Sequence, residues 1–367
     1  MNRFAFIIHA LDTSDVARKY PFTRWVPGRV VELAFRHMSP RYVSKIEGIR
    51  STTGAETEGW FVGCPLTSRQ LVEGDERVSI RKIIEAGQMA ADLGAQIVGL
   101  GAFTAVVGDA GVSVAKALDI AVTTGNSYTV ATAVEGTLKA AAMMDVEPGS
   151  ATAAVLGATG SIGRVCALLL APEVGRLIVV GRRPDALEKL AEELRAEGDG
   201  EVETSTNIGE TVQQAGMVVA VTSALEAVVE PEMLRPGAVV CDVARPRDVS
   251  VRVAAERDDV LVIEGGAVSV PGDVNFNFDF GFPPKTAYAC MAETMILTLE
   301  GRFENFSLGR DLELARVKEI AELAHKHGFK LAGFRSFESA VDEETMERTK
   351  QRAAEVRGTG ARASREA

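Results

Sequence analysis

The stretch ATAAVLGATGSIG, running from Ala151 to Gly163, decides how the chain is read. Ala153, Val155 and Leu156 form a short apolar run of the kind found in buried parallel strands. Gly157, Gly160 and Gly163 follow at G-x-x-G-x-x-G spacing, and Ile162, Val165, Leu168 and Leu169 then recur at helical spacing. This pattern predicts a strand, a tight turn and a helix, with bare glycine backbone letting a pyrophosphate reach N–H groups at the helix N-terminus. The predicted cofactor loop is Gly157, Ala158, Thr159, Gly160, Ser161, Ile162 and Gly163. Glycines also mark ordinary turns, so the triplet alone is a weak signal and its context carries the assignment.

The next apolar run, Leu177 to Val180, ends in Gly181-Arg182-Arg183, at the distance where such folds read the adenosine ribose. An acidic residue there would favour NAD. Arg182 and Arg183 offer permanently charged planar donors to a 2′-phosphate and so predict NADPH. The plainer alternative is a solvated turn ahead of a helix opened by Pro184. Further apolar runs follow: Met217 to Val221 ends in Thr222-Ser223, Ala238 to Val243 contains Cys241, and Val260 to Ile263 ends in Glu264-Gly265-Gly266. Alternation of strands and helices at this pace predicts a doubly wound parallel sheet. Ligands bind at the C-terminal edge of such sheets, which places Thr222, Ser223, Gly265 and Gly266 on the cofactor crevice.

Upstream, Phe4 to Ile8, Tyr42 to Ile46, Glu58 to Val62, Gln96 to Leu100 and Asp119 to Val122 read as strands. Val78 to Leu93 reads as an amphipathic helix. The stretch from Tyr20 to Tyr42 resists assignment. Thr123-Thr124-Gly125-Asn126-Ser127 precedes a long helix, Tyr128 to Met144. Thr124 and Asn126 are candidates to meet a substrate, although Thr or Asn at that place is most often a helix cap. The expected fold class is α/β: an N-terminal α/β substrate domain (1–133), a Rossmann-like NADP-binding parallel sheet (134–284), a C-terminal helical segment (285–335) and a charged tail (336–367). The tail reads as one solvated helix with a disordered end.

With 367 residues, 46% hydrophobic and 25% charged, the chain has the composition of a globular protein of about two domains. Its net charge of −11 argues against nucleic-acid binding. No apolar stretch approaches the ~20 residues of a membrane span, which predicts a soluble, cytoplasmic protein. Residues 1–50 carry nine Lys or Arg against four Asp or Glu, a local +5 in an acidic chain. Such a basic face is suited to steering an acidic partner. Cys64, Cys166, Cys241 and Cys290 show no CxxC pairing, so neither a zinc site nor a disulfide framework is expected. Cys290 stands out: it lies near the predicted start of a helix, after the aromatic loop NFNFDFGFPP and five residues beyond Lys285. A helix N-terminus and a nearby cation both favour a thiolate, whereas a buried cysteine is more often a small hydrophobe.

The segments FAFIIHA, TTGNSYTVA, GATGSIG, YACMAETMILTLEG, NFSLGR and KHGF occur in this order. In them the chain, from about residue 4 to Phe329, resembles the long-chain acyl-(acyl-carrier-protein) reductases of cyanobacterial type. That resemblance implies NADPH-dependent release of a fatty aldehyde from an acyl carrier protein, with a downstream aldehyde-consuming enzyme. It implies Cys290 as the acyl-accepting nucleophile and Gly157 to Gly163 as the dinucleotide loop. It also implies magnesium, for which the sequence offers no ligand cluster; His325 and His327, two apart on a helix, face away from each other. The basic Tyr20 to Tyr42 stretch and the tail after Phe329 depart from the family pattern. Two other classes stay open: a shikimate-type NADP-dependent dehydrogenase and a non-catalytic NADP-binding protein. Neither accounts for Cys290.

Overall fold

In the computed structural model, residues 1–19, 21–198, 200–224, 226–244, 247–337 and 339–366 are described. Tyr20 and Ala367, the outer ends of the unassigned stretch and of the tail, lie outside them. The chain divides into two units, Met1–Tyr128 with Val268–Lys330, and Thr129–Ala267 with Leu331–Ala367.

The first unit holds β1 (Asn2–Ala10), β2 (Arg41–Arg50), β3 (Glu56–Thr67), β4 (Ile97–Leu100) and β5 (Ala121–Thr123). With the later strand Gly272–Asn275 they form one mixed sheet, in the order Gly272–Asn275, β2, β3, β1, β4, β5. β3, β1, β4 and β5 are parallel neighbours, while β2 returns antiparallel to β3. Phe4, Ala5 and Ile7 on β1, with every residue of β4, are fully buried, as central strands covered on both faces require. The unassigned basic stretch forms a short 3₁₀ turn, Pro21–Trp25, and the helix Gly28–Arg36.

One face of this sheet receives the helix Ala289–Glu300, in which Cys290 and Glu300 alone are not buried. It presses so closely on β4 that a side chain at Gly99 would begin 2.1 Å from Thr294 Oγ1. A helix this rich in apolar residues, with Glu293, Thr294 and Thr298 as its buried polar members, needs cover on every side. This places residues 285–330 inside the first unit, a division different from the separate C-terminal segment read from the sequence.

The second unit is built on β6 (Thr152–Leu156), β7 (Arg176–Val180), β8 (Glu201–Ser205), β9 (Met217–Ala220), β10 (Val239–Asp242) and β11 (Leu261–Glu264). All pairings are parallel, and the order is β8-β7-β6-β9-β10-β11. Counted from β6, this is the 3-2-1-4-5-6 order of a Rossmann sheet, whose direction of winding reverses between β6 and β9. The α/β class with a Rossmann-like parallel sheet and helices is thus as expected. β8, reading EVETS, is a half-exposed edge strand with no apolar run to announce it. The tail forms a helix, Glu343–Glu366, whose first half is held to this unit by buried Met346 and Ala353 and by a 2.8 Å Lys350–Asp145 pair. Among the described residues no helix is long and apolar enough to cross a membrane.

Candidate active site

The cofactor loop leaves β6 at its carboxyl end, beside the switch point. Gly157 adopts φ +79°, and a side chain there would begin 2.8 Å from the Val221 carbonyl oxygen. Its N–H and that of Ala158 both donate to the Val180 carbonyl, at 2.9 and 3.0 Å, which binds the loop to β7. A Cβ at Gly163 would lie 2.3 Å from Gly157 O, so the helix Ser161–Leu170 packs directly on the turn. Gly160 occupies the N-cap without a side-chain cap, and around it a Cβ would meet only Gly157 O, at 3.2 Å. The space beside Gly160 is therefore open, half-buried Thr159, Ser161 and Ile162 border it, and the helix dipole points into it. These residues fit a pyrophosphate.

Gly181, at the end of β7, lies against Thr159, so the turn carrying Arg182 and Arg183 adjoins the loop. Both arginines are exposed, and neither guanidinium has a partner among the described residues. Thr222, following β9, is held by a buried carboxylate: its N–H donates to Asp248 Oδ2 at 2.7 Å and its hydroxyl to Oδ1. Burial pushes the Asp248 carboxyl up, against the pull of these two bonds. Ser223 beside it is exposed. Gly265 and Gly266 fall at the end of β11, the sheet edge, with β9 and β10 between them and β6. Gly265 packs on Val243, Ala133 and Cys241. The structure thus brings the glycine loop, Arg182, Arg183, Thr222 and Ser223 to one stretch of sheet edge and sets the Gly265-Gly266 pair apart from it.

In the first unit, Cys290 is the second residue of Ala289–Glu300 and the one cysteine that is not buried. Tyr288 at the N-cap supplies no side-chain bond to the first turn. Gly125 is pressed onto Cys290: at φ +76°, its Cβ would lie 2.3 Å from Cys290 Cα and Cβ. Only glycine combines that backbone with that proximity. One turn further on, Glu293 is wholly buried. Its Oε1 accepts from the Thr123 hydroxyl and, at 2.7 Å, from Ser307 Oγ; Oε2 accepts from the Tyr128 N–H at 2.8 Å, and the Gly125 N–H also donates to the carboxylate. Burial pushes the Glu293 carboxyl up despite these bonds. Ser307, at φ +54°, lies 2.7 Å from Ser127 Oγ, and its carbonyl accepts from the Thr124 hydroxyl. Thr124 is therefore a buried clamp between the TTGNS and NFSLGR segments, while Asn126 is half-buried.

Sequence reasoning missed Glu293 and Ser307. The signal was present: a lone acidic residue inside the apolar run ACMAETMIL, three positions from Cys290 and so on the same helix face. Lys285 precedes the helix, sits at φ +60° and pairs with Asp273 at 2.7 Å, both side chains being largely exposed. His327 joins Ser51 Oγ, at 2.8 Å, to Glu300, at 2.9 Å. Among the described residues no group of three or more His, Cys, Asp or Glu side chains is placed to hold a metal ion, and the implied magnesium finds no ligand set there.

The other three cysteines are packing residues. Burial pushes the Cys64 thiol up to about 12 and the Cys166 thiol higher still. Brief treatment of the native protein with iodoacetamide near neutral pH is therefore expected to give a single adduct, located by peptide mass on Cys290. Labelling of Cys64, Cys166 or Cys241 at a comparable rate would contradict this assignment.

Comparison with known proteins agrees with the nucleotide-binding unit. Residues 139–264 match the shikimate / quinate 5-dehydrogenase family. The chain is 33% identical over 308 residues to the aminotransferase PigE of Serratia sp., with 81% of this chain covered but 35% of PigE. It is 29% identical over 305 residues to a long-chain acyl-[acyl-carrier-protein] reductase of Synechococcus elongatus, covering 79% of this chain and 87% of the reductase. The chain thus spans about a third of the length of PigE and most of the length of the reductase. Among solved structures, glutamyl-tRNA reductase from Methanopyrus kandleri aligns over 76% of this chain and 56% of its own, at 18% identity and a TM-score of 0.31. The protein carries an oxidoreductase-type nucleotide-binding domain. It is distantly homologous to the acyl-carrier-protein reductase.

Proposed function

We propose that this protein reduces a long-chain acyl thioester, delivered on an acyl carrier protein or coenzyme A, to a fatty aldehyde through an acyl-cysteine on Cys290, using NADPH. The observation that carries the reading is the setting of Cys290. A helix otherwise buried throughout its first two turns leaves Cys290 alone partly exposed, against backbone that a wholly buried carboxylate holds in place. A non-catalytic NADP-binding protein has no use for such a device. A dehydrogenase acting on a free carbonyl does not need it either. The shikimate-dehydrogenase match covers nucleotide-binding residues and stops short of Cys290.

In this mechanism the Cys290 thiolate, favoured by the helix N-terminus, attacks the thioester carbonyl. The tetrahedral species collapses, expels the carrier thiolate and leaves the acyl group on Sγ. Backbone N–H groups of the helix's first turn are the donors available to the developing oxyanion. When bound, NADPH would supply the hydride for reduction of the acyl-cysteine carbonyl. Collapse of the resulting hemithioacetal releases the aldehyde and restores Cys290. Thr124 keeps the Gly125 backbone in register with the thiol, and Asn126 is the polar group left to orient the acyl carbonyl. The glycine loop and Thr222 would hold the pyrophosphate and the adjoining nucleotide, and Arg182 with Arg183 the 2′-phosphate.

The deciding experiment is intact mass after incubation with long-chain acyl-carrier protein in the absence of NADPH. A stable adduct of one acyl group supports the reading, and its absence under conditions that later yield aldehyde on adding NADPH removes the covalent step. For the cofactor, Arg182→Ala with Arg183→Ala is expected to weaken NADPH binding roughly 10- to 100-fold, the scale of a lost charge-assisted phosphate contact. NADH binding should hardly change. An unaltered NADPH preference in a fluorescence titration would remove these arginines from the cofactor site.

A further inference from the structure

The exposed apolar side chains are unevenly placed. Leu11, Phe22, Trp25, Val30 and Leu33 are each more than half exposed, Trp25 to 90%. They make up five of the thirteen large apolar side chains exposed among the described residues. The helix Gly28–Arg36 buries only Val31 and Glu32. Its outer face carries Val30 and Leu33, and Arg29, Leu33 and Arg36 succeed one another along a single ridge. Arg24 lies on the preceding turn. The guanidiniums of Arg24, Arg29 and Arg36 have no partner among the described residues. Between residues 21 and 41 the sole carboxylate is Glu32, which is buried and bound to Arg69 and Thr67. A cationic, aromatic-rich surface thus stands on a chain of net charge −11.

We propose that this surface docks the protein peripherally on an anionic lipid membrane. Its chemistry is that of an interfacial element: Trp and Phe rings for the headgroup layer, short aliphatic side chains below them, and arginines at the rim to meet lipid phosphates. Elsewhere the acidic body is repelled by the same membrane, which orients the encounter. A second copy of the chain is a poorer occupant, because a two-fold interface would set one cluster of arginines against the other. An acidic protein could satisfy the charges, but it would need a matching hollow for a side chain as protruding as Trp25. Lipid headgroups yield around it.

The test is flotation of the full chain with vesicles of phosphatidylglycerol and phosphatidylcholine, and with vesicles of phosphatidylcholine alone. Co-flotation is expected with the anionic vesicles only, with release at high salt. Because Trp25 and Trp60 are the two tryptophans, a Trp60→Phe background isolates Trp25, whose emission should shift to the blue on binding. Trp25→Ala with Leu33→Ser, and separately Arg29→Glu with Arg36→Glu, should each lower partitioning at least about 10-fold while leaving the unfolding midpoint nearly unchanged. Equal binding to both vesicle types, no binding at low salt, or binding that survives both double substitutions overturns the proposal. So does a dimer abolished by the Trp25 and Leu33 changes, which would assign the face to a second copy. A complex with acyl-carrier protein through these residues, without vesicle binding, would assign it to the carrier.

Discussion

Cys290→Ala is expected to abolish both the acyl adduct and aldehyde release, lowering turnover by at least about 10³-fold, the scale on which loss of a covalent nucleophile falls. The reason is positional. Hydride transfer to a thioester still on its carrier would lack the geometry that the enzyme imposes on an acyl group joined to its own helix. NADPH affinity should survive, because the glycine loop belongs to the other unit of the chain. Cys166→Ala and Cys241→Ala should affect stability alone, since both thiols are buried. Near wild-type turnover of long-chain thioester by the Cys290→Ala variant would end the covalent mechanism and favour a dehydrogenase of free carbonyls.

Glu293→Ala is expected to cost roughly 3 kcal/mol or more of folding stability, because it strands several buried donors at once. The buried Thr123 and Ser307 hydroxyls and the Tyr128 N–H would lose their acceptor. Aldehyde formation should fall with it, since the backbone of Gly125 against Cys290 is held by these same bonds. Glu293→Gln keeps the shape and one acceptor, and should cost less. The two variants also differ in pH dependence. Burial raises the Glu293 carboxyl above its ordinary 4.5, so between the unfolded and the folded value the native state binds a proton that the unfolded chain has released. Its contribution to stability is complete below the unfolded value and is lost as pH rises through the folded one. Urea unfolding of the wild type should therefore show stability declining as pH climbs above about 4.5, a decline smaller in Glu293→Gln, where buried Asp248 still contributes its part. A decline of the same size in both proteins would trace it to another group.

The Rossmann unit was legible in the amino-acid sequence because its information is local. A parallel strand buried on both faces must be apolar over most of its length, as β6, β7, β9, β10 and β11 are apart from Thr152, Arg176, Asp242 and Glu264 at their ends, and the turn after β6 requires glycine. The exception, β8, is an edge strand with one wet face, so its residues carry no such mark. Cys290 was legible too, by its place at a helix start after a long aromatic loop. The tertiary structure alone decided what surrounds that thiol. Gly125 and Ser307 lie far from Cys290 and Glu293 along the chain or on another loop, and no period or spacing announces that one carboxylate gathers them. The same holds for the assignment of residues 268–330 to the first unit: a helix as apolar as Ala289–Glu300 declares that it is buried, but not against which sheet. The pair of Lys285 with Asp273 across a left-handed turn was likewise decided by the fold. Local chemistry is written in neighbouring residues. A buried hydrogen-bond network is a property of segments brought together by folding, because its members need satisfy only each other.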